Sequence, residues 1–184
     1  MIYPIVVYGC PVLREETKEI TSDYPNIKQL AEDMFATMYN AEGIGLAAPQ
    51  IGLSIRMFVI DLEVLAEDDP QFKGFKKVFI NPQIVEYGEE TETCDEGCLS
   101  LPGISESVKR PTKIRIQYLD EDMQPHDEVY EKYKARVIQH EYDHLEGKVF
   151  IDRISPIRRQ MNRGKLTSMV NGKVRCRYRI KTVK

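Results

Sequence analysis

The sequence predicts an α+β fold, in which mixed or antiparallel β-sheets surround a central helix and a helix and strand extend the chain at its C-terminus. The 184 residues are enough for one domain with a full hydrophobic core. Segments with the two-residue period of strands are interrupted by segments with the period of helices, as in α+β proteins. No repeat, low-complexity tract or linker divides them. We therefore expect a single domain over residues 1–184, of which 156–184 is an extension.

The composition is that of an ordinary globular protein, with 30% charged and 42% hydrophobic residues. The first eight residues contain a short apolar run but neither a basic beginning nor a long apolar core, so we expect no secretory signal. No stretch approaches the roughly 18 apolar residues of a membrane span. We therefore expect a cytoplasmic protein with no membrane partner. Its four cysteines should be reduced thiols, and Cys10 and Cys176 should have structural roles.

In the N-terminal half, the pattern predicts one amphipathic helix and two strands. Apolar residues recur at helical spacing over residues 25–41, after side chains that can cap a helix. Residues 56–62 and 78–85 have the apolar composition of strands, although the Asn-Pro pair that begins at Asn81 should interrupt the second. The polar residues 63–77 between them should form an excursion on the surface.

The C-terminal half contains a strand, two helices and a second strand. Residues 113–118 alternate between polar and apolar side chains, as in a half-buried strand. A helix should extend over residues 131–146 and end before a glycine. A further helix should begin near residue 155 and fade near 168. After an Asn-Gly turn, alternation over 174–181 predicts a strand with one basic face.

The charge is distributed unevenly along the chain. Residues 156–184 contain ten Lys or Arg and no Asp or Glu, whereas the first 155 residues contain 16 basic and 29 acidic side chains. A basic extension on an acidic body is typical of a face that binds phosphates, such as those of RNA. A solvated tail on a closing strand is the alternative interpretation.

The most informative motif is His140-Glu141-x-x-His144, which uses two of the three histidines in the chain. On a helix, positions i and i+4 lie on one face, one turn apart, so both imidazoles can bind one metal ion. Glu141 can then reach a water activated by that metal and serve as general base. The motif predicts metal-assisted attack of water on a carbonyl group. A pair of histidines satisfied by ordinary hydrogen bonds is the alternative.

A catalytic metal centre of this kind usually has three protein ligands and one open position. Some peptidases with this motif take the third ligand from downstream. Here Phe150 stands where one group has a histidine, and no carboxylate follows Asp152. An upstream thiol is the better expectation, because thiolates bind zinc and ferrous iron strongly. Cys98 is the leading candidate, and Cys94 and His126 remain open.

Three motifs, taken in order, resemble those of the peptide deformylases. Residues 43–50 have the sequence GIGLAAPQ, residues 96–100 have EGCLS, and residues 139–144 have QHEYDH. One HExxH motif is a moderate signal, but all three motifs in this order are very specific. The resemblance covers residues 1–155. It implies a deformylase-like catalytic domain in which Cys98 joins the two histidines as the third metal ligand.

The resemblance also implies roles for the first two motifs. The side-chain amide of Gln50 and the backbone N–H of Leu99 would donate to the oxygen that becomes negative in the tetrahedral intermediate. The segment formed by Gly43, Ile44 and Gly45 would run beside the bound peptide as a strand-like partner. Ile44 and Gly45 would contribute backbone hydrogen bonds to that peptide.

Neighbouring residues have predicted supporting roles. The methionine side chain of a substrate needs an apolar pocket, for which Ile44 and Val137 are the candidates. Arg136 either borders this pocket or is solvated. Glu96 and Arg110 either form an ion pair that braces the second motif or are two unrelated surface charges.

The activity implied by the resemblance is removal of the N-formyl group from the N-terminal formyl-methionine of nascent polypeptides, with release of formate. The implied cofactor is Fe²⁺, with Zn²⁺, Ni²⁺ or Co²⁺ as substitutes, and one cysteine and two histidines suit either iron or zinc. The implied partners are N-formylmethionyl peptides, and the basic extension separately suggests contact with the RNA-rich ribosome. A zinc endopeptidase and a metal-stabilised binding module are the alternative functions.

Overall fold

The computed structural model describes all residues from Met1 to Lys184, which form nine strands and four α-helices. The strands are β1 (Ile5–Val6), β2 (Gly45–Ala47), β3 (Met57–Asp61), β4 (Lys76–Tyr87), β5 (Thr91–Cys98), β6 (Leu101–Pro111), β7 (Lys113–Leu119), β8 (Pro125–Glu131) and β9 (Ile180–Lys181). The helices are α1 (Ile27–Asn40), α2 (Lys132–Leu145), α3 (Pro156–Met161) and α4 (Arg163–Val170). Five strands form an antiparallel sheet in the order β2-β3-β4-β7-β8, β5 and β6 form a separate hairpin, and β1 pairs with β9 in parallel. The predicted α+β class with mixed and antiparallel sheets is confirmed.

The five-stranded sheet is covered on both faces at β3, which explains the unbroken apolar run of that strand. Met57 and Val59 pack on one face with Met34 and other residues of α1. Phe58 and Ile60 pack on the opposite face with residues of α2. Successive side chains of a strand point to opposite faces, so a strand covered on both sides needs an apolar residue at each position. Both helices lie within two residues of their predicted bounds.

Helix α2 lies between the sheet and the β5–β6 hairpin. Its apolar face packs on the sheet. Towards the hairpin, Arg136 donates to the carbonyl of Val108 at 2.9 Å, and Gln139 donates to the carbonyl of Pro111 at 2.9 Å. The helix stops before Gly147, where φ is +70° and a Cβ would lie 2.6 Å from the carbonyl oxygen of Arg14. The helix is therefore fixed on two sides and at its end.

The β5–β6 hairpin is the main element that the sequence pattern does not predict. Its strands pair from Thr91 with Pro111 to Gly97 with Ser105, and the register then shifts so that Cys98 pairs with Leu101. The shift leaves three residues of β6, 102–104, without partners on β5, next to the tight turn that joins the two strands. Irregularities of this kind redirect the side chains around them.

Three other predictions for the sheet need correction. Strand β4 continues through the Asn-Pro pair, because Asn81 adopts a φ of +49° and a register shift absorbs the proline. The excursion 63–77 is not only a surface segment, since Phe72 and Phe75 are buried in the core beside α2. His126 lies in strand β8 rather than in a turn.

The C-terminal extension differs from its predicted form. The predicted single helix is divided at Asn162, whose side chain donates to Glu106 at 2.7 Å. The strand predicted over 174–181 is wrong for residues 174–179, because only Ile180–Lys181 pair with β1. None of the helices has both the length and the apolar character needed to cross a membrane.

Candidate metal centre

One cysteine and two histidines meet at the floor of a cleft. The ligand atoms of Cys98, His140 and His144 all lie within 4.8 Å of one another, and the Cys98 Sγ is 3.4 Å from the His144 Nε2. The two histidines are one turn apart on α2, with ring centroids separated by 5.4 Å. Cys98 is the last residue of β5, at the register shift of the hairpin. The structure thus brings together three predicted ligands from two elements.

Glu96 supports the site from behind His140. Its Oε1 accepts from the Nδ1 of His140 at 2.8 Å, an arrangement that leaves Nε2 free to bind a metal ion. Arg110 donates to both carboxylate oxygens at 2.6 and 2.9 Å, and Arg136 donates at 2.6 Å. Burial raises the pKa of Glu96, but the hydrogen bonds from Arg110 and His140 outweigh it and lower the pKa to about 2. The predicted Glu96–Arg110 pair is confirmed, and Arg136 is buried rather than solvated.

A second buried carboxylate extends this network. Arg110 also donates to Asp143 at 3.0 Å, and Arg153 donates to both oxygens of Asp143 at 2.7 Å. Arg110 is fully buried and joins the hairpin to α2. Sequence reasoning did not find Asp143 or Arg153, because these charges meet only in the folded chain and no local spacing indicates their pairing.

Glu141 is buried beside the metal-ligand cluster with a free carboxylate oxygen. Its Oε2 has no hydrogen-bond partner in the protein. Burial raises the pKa of Glu141, and the imidazoles of His140 and His144 offset only part of that increase. A carboxylate with a raised pKa and a free oxygen has the properties of a general base. Gly45 makes room for it, since a Cβ there would lie 2.6 Å from the Glu141 Oε1.

Gln50 is buried and fixed at both ends of its amide. Its Oε1 accepts from the backbone N–H three residues earlier at 2.9 Å, and its Nε2 donates to the Ser100 Oγ at 3.1 Å. The same Nε2 lies 3.5 Å from the Cys98 Sγ. Leu99 lines the cleft, and its carbonyl accepts from the hydroxyl of Tyr178 at 2.7 Å. Gln50 and Leu99 therefore flank Cys98, and Tyr178 is a contact that sequence reasoning missed.

The cleft above these residues has a volume of about 770 Å³ and an unpaired strand edge as one wall. Gly43, Ile44 and Gly45 form this wall, at the free edge of the five-stranded sheet. The carbonyl of Ile44 accepts from the N–H of Asp61 at 2.9 Å. Since neighbouring residues of an antiparallel strand alternate in direction, the backbone groups of Gly45 face the open edge. Val137 also lines the cleft, as do the apolar residues Leu65, Leu101, Ile104 and Tyr133.

The donor set at the cleft floor fits a divalent transition metal. Burial raises the pKa of the Cys98 thiol, but the imidazoles of His144 and His140 outweigh this effect and lower the pKa to about 5. The group is therefore a thiolate at neutral pH, which ligation requires. One thiolate and two imidazoles suit zinc or ferrous iron, and a carboxylate hydrogen-bonded to a ligating histidine is common in such sites.

The remaining cysteines and the third histidine lie elsewhere. Cys94 is four residues before Cys98 on β5, about 13 Å along the strand, and is not part of the cluster. His126 is bonded to Asp120 at 2.7 Å. Neither is therefore a third ligand. All four cysteines are free as expected. Cys176 lines the cleft, and its Sγ donates to the carbonyl of Tyr178 at 3.3 Å, so its structural role stays a prediction.

The fold and the site together define an α+β protein with a candidate Cys-His-His metal centre on the floor of a cleft. A family model described as polypeptide deformylase matches residues 2–160. A peptide deformylase of Christiangramia forsetii is 45% identical over 188 residues, covering 98% of this chain and 96% of the relative. That of Flavobacterium johnsoniae is 47% identical over 188 residues, with the same coverage.

Solved structures give the same result. The peptide deformylase of Thermotoga maritima matches with a TM-score of 0.76 and 43% identity, covering 85% of this chain and 99% of that one. A peptide deformylase from Legionella pneumophila matches with a TM-score of 0.82 and 37% identity, covering 96% and 99%. The chain belongs to the polypeptide deformylase family, whose members are enzymes.

Proposed function

We propose that this protein removes the N-formyl group from the N-terminal formyl-methionine of nascent polypeptides, giving formate and a free amino terminus. The observation that carries the proposal is the cluster of Cys98, His140 and His144 beside the buried carboxylate of Glu141. An unpaired strand edge beside the cluster suits an extended peptide as substrate. We take residues 1–184 as one catalytic domain.

Ferrous iron is the metal we propose, held by Cys98, His140 and His144, with zinc, nickel or cobalt as substitutes. When bound, such a metal polarises a carbonyl oxygen and lowers the pKa of water from about 15.7 towards about 7. Glu96 orients His140 from behind and keeps its Nε2 available as a ligand. Ferrous iron beside a thiolate is sensitive to oxygen, so the iron protein should lose activity when it is purified in air.

Glu141 is the proposed general base and acid. It takes a proton from the attacking water through its free Oε2 and then gives a proton to the departing amine nitrogen. Gln50 and the backbone N–H of Leu99 stabilise the oxygen that becomes negative. The Nε2 of Gln50 donates to the Ser100 Oγ at 3.1 Å and to the Cys98 Sγ at 3.5 Å, and the longer bond to sulfur is the one that would be exchanged for this role. Loss of one such donor typically lowers the rate by about 10²–10³-fold.

The peptide is proposed to lie along the edge of β2. The backbone groups of Gly45 would pair with the main chain of the substrate, whereas the pairing expected of Ile44 is not proposed, because its carbonyl already accepts from the N–H of Asp61. Gly43 keeps this edge close to the hairpin, since a Cβ there would lie 2.8 Å from the side chain of Leu99. Ile44 and Val137 line the cleft and would hold the methionine side chain.

Formate release from formyl-Met-Ala-Ser separates the proposed function from its alternatives. A deformylase releases formate and leaves the peptide bonds intact, and a chelator abolishes the reaction. A zinc endopeptidase cleaves internal bonds of unformylated peptides. A metal-stabilised binding module does neither, and its Glu141 is dispensable. Absence of formate from protein that carries one metal per chain would overturn the proposal.

A second proposal concerns location and assembly. We propose that the enzyme acts in the cytoplasm and contacts the ribosome through its basic extension. Arg159 and Arg163 line a groove of about 530 Å³ beside α3 and α4. Arg163 and Lys173 are exposed and take part in none of the ion pairs of the structure, so both are free to contact phosphate.

Cosedimentation with ribosomes at low and high salt tests this contact. Deletion of residues 170–184 is not a clean test, because β9 pairs with β1 and Tyr178 bonds to Leu99 in the site. The variant Arg163→Gln with Lys173→Gln removes charge only, and we expect weaker cosedimentation and a shallower salt dependence. Unchanged binding by this variant would show that the face formed by Arg163 and Lys173 is not the anchor.

A further inference from the structure

The C-terminal segment forms one wall of the cleft. Arg175, Cys176, Arg177 and Tyr178 all line it. The segment is fixed at Tyr178 and immediately after it. The hydroxyl of Tyr178 donates to the carbonyl of Leu99 at 2.7 Å, and the parallel pairing of β9 with β1 follows two residues later. The wall is therefore part of the folded site rather than a free tail.

This wall carries two cations that the protein itself leaves largely unpaired. Arg175 is exposed and belongs to none of the ion pairs of the structure. Arg177 is 92% exposed and lies 3.8 Å from the carboxylate of Glu42, which is 80% exposed. Such an exposed pair is weak. By contrast, Arg158 of the same extension donates twice to the buried Glu106 at 2.9 Å. The cations on the wall are available to a ligand.

The other charged residues around the cleft give the hairpin side and the C-terminal wall different net charges. Glu96 and Arg136 are buried and bonded to each other. Glu141 lies on the floor. Asp95 is on the hairpin, where its carboxylate accepts from the hydroxyl of Ser107 at 2.6 Å. An anionic side chain of a bound peptide is therefore attracted to the C-terminal wall and repelled by the hairpin side.

We propose that Arg175, assisted by Arg177, is a specificity determinant that favours substrates with an acidic side chain shortly after the formyl-methionine. The inference rests on the proposed function. The peptide leaves the floor along the edge of β2, so the residues after methionine reach the mouth of the cleft, where the two arginines lie. Glu42 partly neutralises Arg177 and so limits the preference.

The test compares kcat/KM for the amidated peptides formyl-Met-Ala-Asp, formyl-Met-Ala-Ser and formyl-Met-Ala-Lys, with the metal-loaded enzyme at low salt. We expect the aspartate peptide to exceed the lysine peptide by about two- to five-fold, the range of exposed ion pairs. This ratio should fall towards one at about 1 M salt. It should fall towards one in Arg175→Gln, invert in Arg175→Glu and increase in Glu42→Gln. The matched control Arg179→Gln, on the same segment but outside the cleft, should keep the wild-type ratio.

A wild-type ratio of one or less, or an unchanged ratio in Arg175→Glu, would overturn the specificity proposal. Absence of formate from the serine peptide would instead contradict the proposed function. If no formate is released, the charge preference is measured instead by calorimetric titration of the unformylated peptides Met-Ala-Asp-amide and Met-Ala-Lys-amide. Tighter binding of the aspartate peptide that is lost in Arg175→Gln supports the preference, and equal binding of both peptides rejects it.

Discussion

At the scale of single residues, the position of the Glu141 carboxylate depends on its neighbours. β2 approaches it so closely that only a hydrogen atom fits at Cα of Gly45. Burial raises the pKa of this carboxylate, and the two histidines of the same helix lower it. Small changes at either place should therefore alter the chemistry before they alter the fold.

Replacement of Glu141 by alanine tests the proton transfer. We expect kcat to fall by about 10²–10⁴-fold, the usual contribution of general acid–base catalysis, while each chain retains one metal ion. Formate release and metal analysis on the same sample measure both quantities. Glu131→Ala is the control, because Glu131 is exposed and lies 3.5 Å from Lys113 only. Near-full activity of Glu141→Ala would remove this residue from the mechanism.

Replacement of Gly45 by alanine tests the close packing against that carboxylate. The added methyl group would lie 2.6 Å from the Glu141 Oε1, so either the strand or the carboxylate must move. We expect kcat for formate release to fall at least about ten-fold, because a displacement of about 1 Å can cost about 10²-fold in rate. Gly164→Ala, where no atom lies within 4 Å of the new Cβ, should keep wild-type kcat. Equal rates in both variants would contradict the assigned geometry.

At the scale of elements, the hairpin and α2 are joined by buried charges. Arg110 lies between Glu96 of β5 and Asp143 of α2, and all three side chains are almost fully buried. The ligands Cys98 and His140 come from the same two elements. The charge network therefore sets the distance between the thiolate and the imidazoles.

Replacement of Arg110 by methionine should lower the free energy of unfolding by about 3 kcal/mol. Breaking a buried pair costs about 3–5 kcal/mol because a charge is left unpaired. The lower end is expected here, since Arg136 and Arg153 still contact the two carboxylates. Urea unfolding measures the change. Arg115→Met, which breaks exposed pairs with Glu86 and Asp127, should cost less than about 1 kcal/mol. Equal losses in the two variants would contradict a structural role for the network.

The elements with a strong hydrophobic period were predictable from the sequence. α1, α2 and β3 each bury an apolar face or both faces, and their patterns show it. The hairpin was not, because β5 has the polar sequence TETCDEGC. The one buried carboxylate of β5, that of Glu96, is stabilised by hydrogen bonds from Arg110 and Arg136, which are distant in sequence. Such pairing between distant charges leaves no local periodicity.

The candidate ligands were predictable for a different reason. The spacing of His140 and His144 follows from helix geometry, but residue spacing alone left Cys94 beside Cys98, and the three ordered motifs separated them. The wall formed by residues 175–178 could not be predicted. Its alternating pattern suggested a strand, whereas in the structure Arg175 and Arg177 are exposed and Cys176 and Tyr178 are half-buried without any strand pairing. A two-residue period reports that alternate side chains face different surroundings, not that the backbone is paired.

At the scale of the whole molecule, the metal should stabilise the fold. A ligand that binds only the native state adds about 2.7 kcal/mol at a concentration one hundred times its Kd. For a chain of this length, that corresponds to an increase in Tm of about 5–10 °C. Thermal unfolding with and without metal measures the change. Cys98→Ser should show little increase, and Cys94→Ser should respond as the wild type does. Equal shifts in both variants would point to metal binding elsewhere.

We propose that the thiolate of Cys98 and the imidazoles of His140 and His144 hold a single metal with one position left open. X-ray absorption spectroscopy of the zinc-substituted protein tests it most directly. We expect one sulfur at about 2.3 Å, two imidazole nitrogens at about 2.0–2.1 Å and one further light atom from solvent. A shell with no sulfur, with two sulfurs, or with four ligands from the protein would contradict it.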